Sequence, residues 1–150
     1  MASKITAATL SVKISELITL DGKNRGSDST LNVSSINEVD NRIVTIPSGS
    51  ETQLFSLSNN PGAGTFVTSS LKYARITNRD DTIAIRLRVS ASAESTDFRV
   101  DAGTSFLLSN SKISGSLVGT RNILSYEDIT GIFAEPSGSD VDIELFIAST

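Results

Sequence analysis

The chain contains no histidine and no cysteine, and this double absence removes much of the chemistry that small enzymes use. Without histidine there is no side chain whose ordinary pKa lies near neutrality, either for proton transfer or for metal binding. Without cysteine there is no thiolate nucleophile, no cysteine-ligated zinc and no disulfide. We therefore expect a protein that is not an enzyme and that has no catalytic, cofactor-binding or metal-ligating residue.

Aromatic residues and long apolar runs are also scarce. Aromatics make up 5% of the chain and tryptophan is absent, which weakens a sugar-binding interpretation because sugar sites commonly stack on exposed rings. No segment approaches the roughly 18 consecutive apolar residues of a membrane span, and the amino terminus lacks the apolar stretch of a signal peptide. We therefore expect no membrane association and synthesis in the cytoplasm.

Acidic residues outnumber basic ones, at 17 to 13, and the net charge is -4. Nucleic acids and anionic membranes are bound by clustered lysine and arginine that displace counterions. We therefore expect no nucleic-acid partner and look instead to proteins or glycans. The 150 residues and 38% hydrophobic content suit one domain whose core is large enough to fold without disulfides.

Apolar and polar residues alternate with a period of two along most of the chain, which is the pattern of β-strands. The clearest case is residues 8–15, which predict a half-buried strand with Ala8, Leu10, Val12 and Ile14 on one face. Further strands are expected around residues 31–36, 43–46, 52–57, 71–77, 82–89, 98–100, 105–108, 129–134 and 140–148.

Turn residues separate these strands. Residues 21–26 and 59–64 are rich in Gly and Asn and predict turns. Residues 71–77 and 82–89, joined by the polar residues 78–81, predict a β-hairpin. Residues 109–126 are the least regular stretch, for which we expect either a long loop or a short helix.

About nine strands, turn signals every 8 to 12 residues and no convincing amphipathic helix predict an all-β protein. We expect a single antiparallel β-sandwich, with a jelly roll favoured over an immunoglobulin-like sandwich. Spacing alone does not give the strand order that separates these two. Residues 1–150 are expected to form one β-sandwich domain, with an extended amino-terminal arm at residues 1–8.

Three short motifs suggest chemistry but are better explained as turns. Asp80 and Asp81 are adjacent, so their side chains point apart, and Asp is a favoured turn residue. Residues 21–26 resemble a calcium loop, but Lys23 and Arg25 stand where such a loop needs oxygen ligands. Residues 62–64 lack the lysine and the strand-then-helix setting of a phosphate loop. A hydrolase would need two carboxylates across a cleft, and no spacing singles out such a pair.

Charged side chains occupy the outer faces of two predicted strands. Arg86 and Arg88 share one face of their strand, and Asp140, Asp142 and Glu144 share one face of the last strand. If the two strands are neighbours, these charges meet as cross-strand pairs worth roughly 0.2 to 1 kcal/mol each. If they lie on different subunits, they set the register of assembly. The simpler alternative is that these charged side chains are solvated and contribute little to the stability of the fold.

Several segments spread over most of the chain carry a resemblance to a known group of proteins. They are residues 19–26, 36–44, 62–66, 73–82, 102–106, 128–132 and 141–148. Together these turn and packing motifs resemble small virion structural proteins of tailed phages, especially those that infect marine cyanobacteria.

This resemblance implies a non-enzymatic component of the virus particle, made in the host cytoplasm and located in the virion. A capsid decoration or cement protein that assembles as a homotrimer and clamps the major capsid protein or another virion protein is expected first. A tail, fibre or head-appendage subunit that binds a host receptor or glycan is the alternative. The expected contact regions are the segment before Thr9 and the irregular loops at residues 59–64 and 109–126.

Overall fold

The computed structural model of the chain describes residues 5–60, 62–68, 70–113 and 126–150. These residues form fourteen strands and no helix, which confirms the predicted all-β class. Within the same residues no helix is long and apolar enough to cross a membrane. The strands are β1 (Ala8–Ser15), β2 (Thr19–Leu20), β3 (Lys23–Asn24), β4 (Asp28–Ile36), β5 (Glu38–Ile46), β6 (Thr52–Ser58), β7 (Thr65–Val67), β8 (Leu71–Asn78), β9 (Ile85–Ala91), β10 (Ser95–Val100), β11 (Ser105–Leu108), β12 (Lys112–Ile113), β13 (Glu127–Pro136) and β14 (Val141–Ser149).

Two larger sheets contain most of these strands. The six-stranded sheet has the order β10-β9-β13-β6-β7, with β12 paired to one end of β13. The four-stranded sheet has the order β11-β8-β14-β5. The pairs are antiparallel except for β6 with β7, which run parallel. Two smaller sheets, β1-β4 and β2-β3, complete the described part of the chain.

The core consists of the alternate residues predicted from the period-two pattern. On β14 the residues Val141, Ile143, Leu145 and Ile147 are almost completely buried, while Asp142 between them is exposed. Inward-facing residues of both larger sheets belong to one hydrophobic cluster. Each fully buried aliphatic side chain of this kind stabilises the fold by about 1.5 to 3 kcal/mol relative to exposure. This shared cluster holds the two sheets together.

The predicted hairpin of residues 71–77 and 82–89 is wrong. β8 pairs with β11 and β14, whereas β9 pairs with β10 and β13, so the two strands lie in different sheets. Residues 82–84 are also not part of a strand, since β9 begins at Ile85. Two strands of alternating residues joined by a polar turn can form a hairpin, or they can belong to two different sheets. The local sequence is the same in both cases, and only the pairing with strands distant in sequence distinguishes them.

Asn78 directs the chain from one sheet to the other. Its side chain is fully buried, and Nδ2 donates to the carbonyl oxygens of Ile83 at 2.8 Å and Val100 at 3.3 Å. The Asp80 carboxylate accepts hydrogen bonds from the backbone N–H groups of Ile83 at 2.6 Å and Thr82 at 2.7 Å. These bonds, that to Ile83 foremost, lower the pKa of Asp80. The structural turn expected for the adjacent acidic pair is confirmed.

Most other predicted strands are present, and several are longer than expected. β5 begins at Glu38 and ends before Pro47, and β13 extends on both sides of the predicted 129–134. In the irregular stretch, β12 occupies two residues, and residues 114–125 lie outside the described residues. Of the expected arm, residues 5–7 are exposed and outside any strand, and residues 1–4 lie outside the described residues. That the whole chain forms one domain stays a prediction.

Candidate functional surfaces

A long two-stranded hairpin, residues 8–36, is the most exposed part of the described chain, and we call it the ribbon. β1 and β4 pair antiparallel over most of their length. The ladder continues beyond them, since Glu16 N–H donates to the Ser27 carbonyl at 2.8 Å and Arg25 N–H to the Ile18 carbonyl at 2.9 Å. β2 and β3 then close the tip. Residues 21–26, predicted as a turn, are therefore the end of this hairpin.

Local backbone chemistry explains why the ribbon forms. The two-residue turn consists of Asp21 with φ 51° and Gly22 with φ 71°, and two successive positive φ angles are the signature of a type I′ turn, which matches the twist of paired strands. Gly26 lies where the strands approach most closely, because a Cβ atom there would be 1.9 Å from the Glu16 carbonyl oxygen. The ribbon thus needs a glycine at position 22 for the turn, and another at position 26, where the two strands are too close for a Cβ atom.

One face of the ribbon is an apolar stripe. Antiparallel pairing places Leu10 opposite Val33 and Val12 opposite Leu31, and Ile14 continues the same face. The opposite face is polar and includes the ion pair of Lys13 with Asp28 at 2.9 Å. The Ser15 hydroxyl and then Lys13 lower the pKa of Asp28 by hydrogen bonding to its carboxylate.

Within the described residues, only the base of this stripe is covered. Leu10, Val12 and Val33 pack with the buried Ile36 against Tyr73, Phe146 and Ala148, which lie on the outer face of the four-stranded sheet. Farther along, the stripe is open to solvent, at Ile14 (46% exposed) and Leu31, and beyond it at Leu17 (90%), Ile18 and Leu20. The half-buried strand predicted for residues 8–15 is therefore half-buried only at its base.

A bulge at the base of the ribbon aims Ile36 inward. The register shifts there, since Ala8 pairs with Ile36 while Leu10 pairs with Val33. Ser35 sits in this shift with φ 62°, in the left-handed region that non-glycine residues seldom adopt. Bulges re-aim side chains, and beside this one Ile36 is buried in the cluster with Tyr73 and Ala148, which anchors the ribbon.

The rest of the outer face of the four-stranded sheet combines charge and apolar surface. Glu144 on β14 binds both Arg75 on β8 and Arg79, the latter at 2.8 Å. Beside them on β5, Val39 and Ile43 (60% exposed) point outward, because Ile43 pairs with Glu144 and Val39 with Ala148. The hydrogen bonds from Arg75 and Arg79 hold the pKa of Glu144 below its ordinary value.

At one end of this face three carboxylates surround a hollow of about 390 Å³. Its lining includes Asp80, Asp140, Asp142, Thr45 and Arg79. Asp142 accepts a hydrogen bond from the Thr45 hydroxyl at 2.6 Å, and Asp140 accepts one from the backbone N–H of Ser48 at 2.8 Å. We call this region the acidic end.

Of the alternatives for Arg86 and Arg88, cross-strand pairing with the acidic residues of β14 within one chain does not occur. β9 belongs to the six-stranded sheet and β14 to the four-stranded sheet, so the two sets lie on different sheets. Both arginines instead bind carboxylates from neighbouring parts of their own sheet. Arg88 also lies over the Phe133 ring, with Cζ 5.1 Å from the ring centroid. The carboxylates are those of Glu51, Asp97 and Glu135.

A second hollow, of about 310 Å³, lies at the edge of the six-stranded sheet. Arg86, Asp97, Arg99 and Phe98 are among its lining residues. Phe98 is 39% exposed and packs on Phe106 of the other sheet, with ring centroids 4.8 Å apart. The arrangement offers one partly exposed ring bordered by charged side chains.

The predicted contact regions are only partly described. In the loop at residues 59–64, a backbone bridge joins Gly62 to Thr65, and residue 61 lies outside the described residues. Over the residues that the structure covers, no group of three or more acidic side chains is arranged to hold a metal ion. The ribbon was not among the predicted contact regions. The sequence predicts a turn within residues 21–26, but nothing local indicates that the flanking strands pair with each other or that their apolar face lacks a cover.

Comparison of the chain with protein-family models, with curated proteins and with solved structures finds no match. The surfaces described above therefore have to be interpreted from their own geometry and chemistry.

Proposed function

We propose that this protein is a non-enzymatic structural component of a tailed-phage particle, made in the host cytoplasm and incorporated into the virion. Its role is that of a capsid decoration or cement protein, a homotrimer that stabilises the head through contacts with the major capsid protein or another virion protein. The ribbon is the observation that carries this proposal. A 29-residue hairpin that exposes apolar side chains is suited to bind another protein, because an isolated two-stranded hairpin is at best marginally stable in water.

The strand order supports a jelly-roll β-sandwich as the specific fold. The pairing is nested: β5 pairs with β14, β6 with β13, β8 with β11 and β9 with β10. A long hairpin rolled up into two sheets has this order, with two Greek keys and eight strands. Jelly rolls are common in viral capsid proteins and also in lectins and cupins, so the fold favours a virion role by analogy only.

The chemistry of the described carboxylates supports a role without catalysis. A glycosidase needs a general acid with a raised pKa, whereas hydrogen bonds lower the pKa of Asp80 at the acidic end. Asp140 and Asp142 in the same hollow are engaged in structural hydrogen bonds to Ser48 and Thr45. These groups serve to fix turns and strand ends.

The molar mass of the purified protein, measured by light scattering across a dilution series, tests the assembly part of the proposal. We expect a trimer that persists on dilution. Cosedimentation with phage heads lacking this protein then tests the decoration role, with pelleting expected only when heads are present. A protein that is monomeric at every concentration and remains in the supernatant would contradict both parts.

A receptor- or glycan-binding appendage is the second candidate, and the hollow beside Phe98 favours it. Sugar rings stack on aromatic faces and hydrogen-bond to bordering charged groups, and this hollow offers both. A glycan array with wild type and Phe98→Ala tests the idea. Hits that disappear in the variant would support an appendage, whereas an array without hits would count against it.

A further inference from the structure

The uncovered part of the ribbon has the apolar area that one side of a protein interface needs. Four large side chains on the face of the stripe expose about half of their surface, namely Ile14, Ile18, Leu20 and Leu31. Their exposed fractions correspond to roughly 370 Å² of largely apolar surface, which is most of the apolar share of the roughly 800 Å² that each partner buries in a standard interface. Contiguous apolar patches of this size mark interaction sites on soluble proteins.

The same chain carries a surface that accepts this stripe. The base of the ribbon already packs on Tyr73, Phe146 and Ala148 on the outer face of the four-stranded sheet. The adjoining strand of that face, β5, leaves Val39 and Ile43 exposed. The face is therefore half covered by its own ribbon, and its open half presents Val39 and Ile43 beside the ion pairs of Glu144.

The two surfaces also match in length and charge. Six residues separate Ile14 from Leu20 on the ribbon and Val39 from Thr45 on β5, which is about 20 Å on each strand. At the ribbon tip Lys23 pairs with Leu20 and Arg25 lies beside Ile18. At the corresponding end of β5, Thr45 pairs with Asp142 of the acidic end. Laying the ribbon along β5 brings apolar residues onto apolar residues and the basic tip onto the acidic end.

We propose that the ribbon of one subunit docks along β5 on the four-stranded sheet of a second copy of this chain. Ile18, which shares the face of Ile14 and Leu20, covers Ile43, while Lys23 and Arg25 face the acidic end. The contact joins two different surfaces, so repeating it around a rotation axis closes a ring. The inference rests on the self-assembly part of the proposed function and identifies the surfaces that carry it.

Cysteine crosslinking tests the contact directly, because the chain has no cysteine of its own. Ile18→Cys and Ile43→Cys proteins are mixed, allowed to exchange subunits, oxidised and resolved on a non-reducing gel. We expect an intermolecular disulfide in this mixture. The matched control replaces Ile43→Cys with Ser95→Cys, an exposed position on the six-stranded sheet, where no crosslink is expected.

Charge reversal gives an independent measurement on the same contact. The double variant Lys23→Glu with Arg25→Glu is expected to raise the dissociation constant of the assembly about tenfold or more, since two attractions become repulsions. Combination with Asp142→Lys is expected to recover part of this loss. Lys112→Glu, a reversal on β12 away from both surfaces, serves as control, and thermal melting checks that each variant is folded.

The outcomes separate this inference from the proposed function. A stable oligomer that gives no crosslink between positions 18 and 43 and is unaffected by the tip reversal would overturn the ribbon contact and leave self-assembly standing. A monomer at every concentration would overturn both. A monomer whose tip variants fail to cosediment with phage heads would assign the ribbon to a different virion protein and overturn the second copy as its occupant.

Discussion

Replacing Gly26 with alanine should loosen the ribbon and leave the core intact. An added Cβ would lie 1.9 Å from the Glu16 carbonyl oxygen and 2.8 Å from the Glu16 carbonyl carbon, both of which are backbone atoms that cannot rotate away. To restore an ordinary contact near 3.5 Å, the two strands must separate by roughly 1.5 Å. The neighbouring ladder bonds of 2.8 and 2.9 Å would then exceed hydrogen-bonding distance.

Forcing extra volume into a packed site typically costs about 1 to 3 kcal/mol. The ribbon contributes little to the main core, so this cost should remain local and the global free energy of unfolding should change by no more than about 0.5 kcal/mol. Each 1.4 kcal/mol lost locally speeds amide exchange about tenfold. We therefore expect roughly tenfold or faster hydrogen exchange at the amides of Glu16 and Arg25, with an unchanged urea midpoint.

Hydrogen exchange followed by NMR, together with urea unfolding, makes the measurement. Gly62→Ala is the matched control, since a Cβ there meets nothing within 4 Å. Unchanged protection of Glu16 and Arg25 in the Gly26→Ala protein would refute the close-approach argument. A large drop in the urea midpoint would refute the independence of ribbon and core.

Three further predictions concern the sheets. Leu145→Ala, at a fully buried position of β14, should lower the free energy of unfolding by about 2 to 5 kcal/mol in urea titrations, and a loss below 1 kcal/mol would contradict its place in the core. Asn78→Ala should cost about 1 to 3 kcal/mol by the same assay, because two carbonyls lose their buried donor; a neutral result would contradict that role. Glu144→Gln should lose up to about 1 kcal/mol at neutral pH. Since the folded-state pKa of Glu144 lies below its ordinary 4.5, its contribution is present above that pH and disappears as the pH falls through the folded-state value, so the two melting curves should converge in acid.

The alternation of buried and exposed residues within a strand was predictable, because successive side chains of a strand point to opposite faces of the sheet. The inward side chains of β14, such as Ile143 and Leu145, follow from period two alone. The turn at Asp21 and Gly22 was equally local, since its backbone conformation depends on those two residues.

Strand partners could not be predicted, because they depend on residues distant in sequence. The local pattern around the turn after β8 predicts a hairpin. In the structure, buried Asn78 donates a hydrogen bond to the carbonyl of Val100, 22 positions away, and the next strand, β9, lies in the other sheet. For the same reason the partners of Arg86 were missed. Glu51 and Glu135 reach it only after three separate strands have assembled.

The nested pairing of the strands also bears on how the chain folds. β14, the last strand of the sequence, lies between β8 and β5 in the middle of its sheet, about 100 residues away from β5 along the chain. β5 and β8 cannot form their hydrogen bonds to β14 until β14 has been synthesised. Until then, the backbone groups that bond to β14 are unpaired and apolar side chains of β5 and β8 are exposed. Proteins dominated by such distant contacts fold in milliseconds to seconds, and exposed strands in that interval are prone to aggregate. Correct pairing of this sheet therefore depends on β5 and β8 avoiding other partners until the nine residues of β14 have been made.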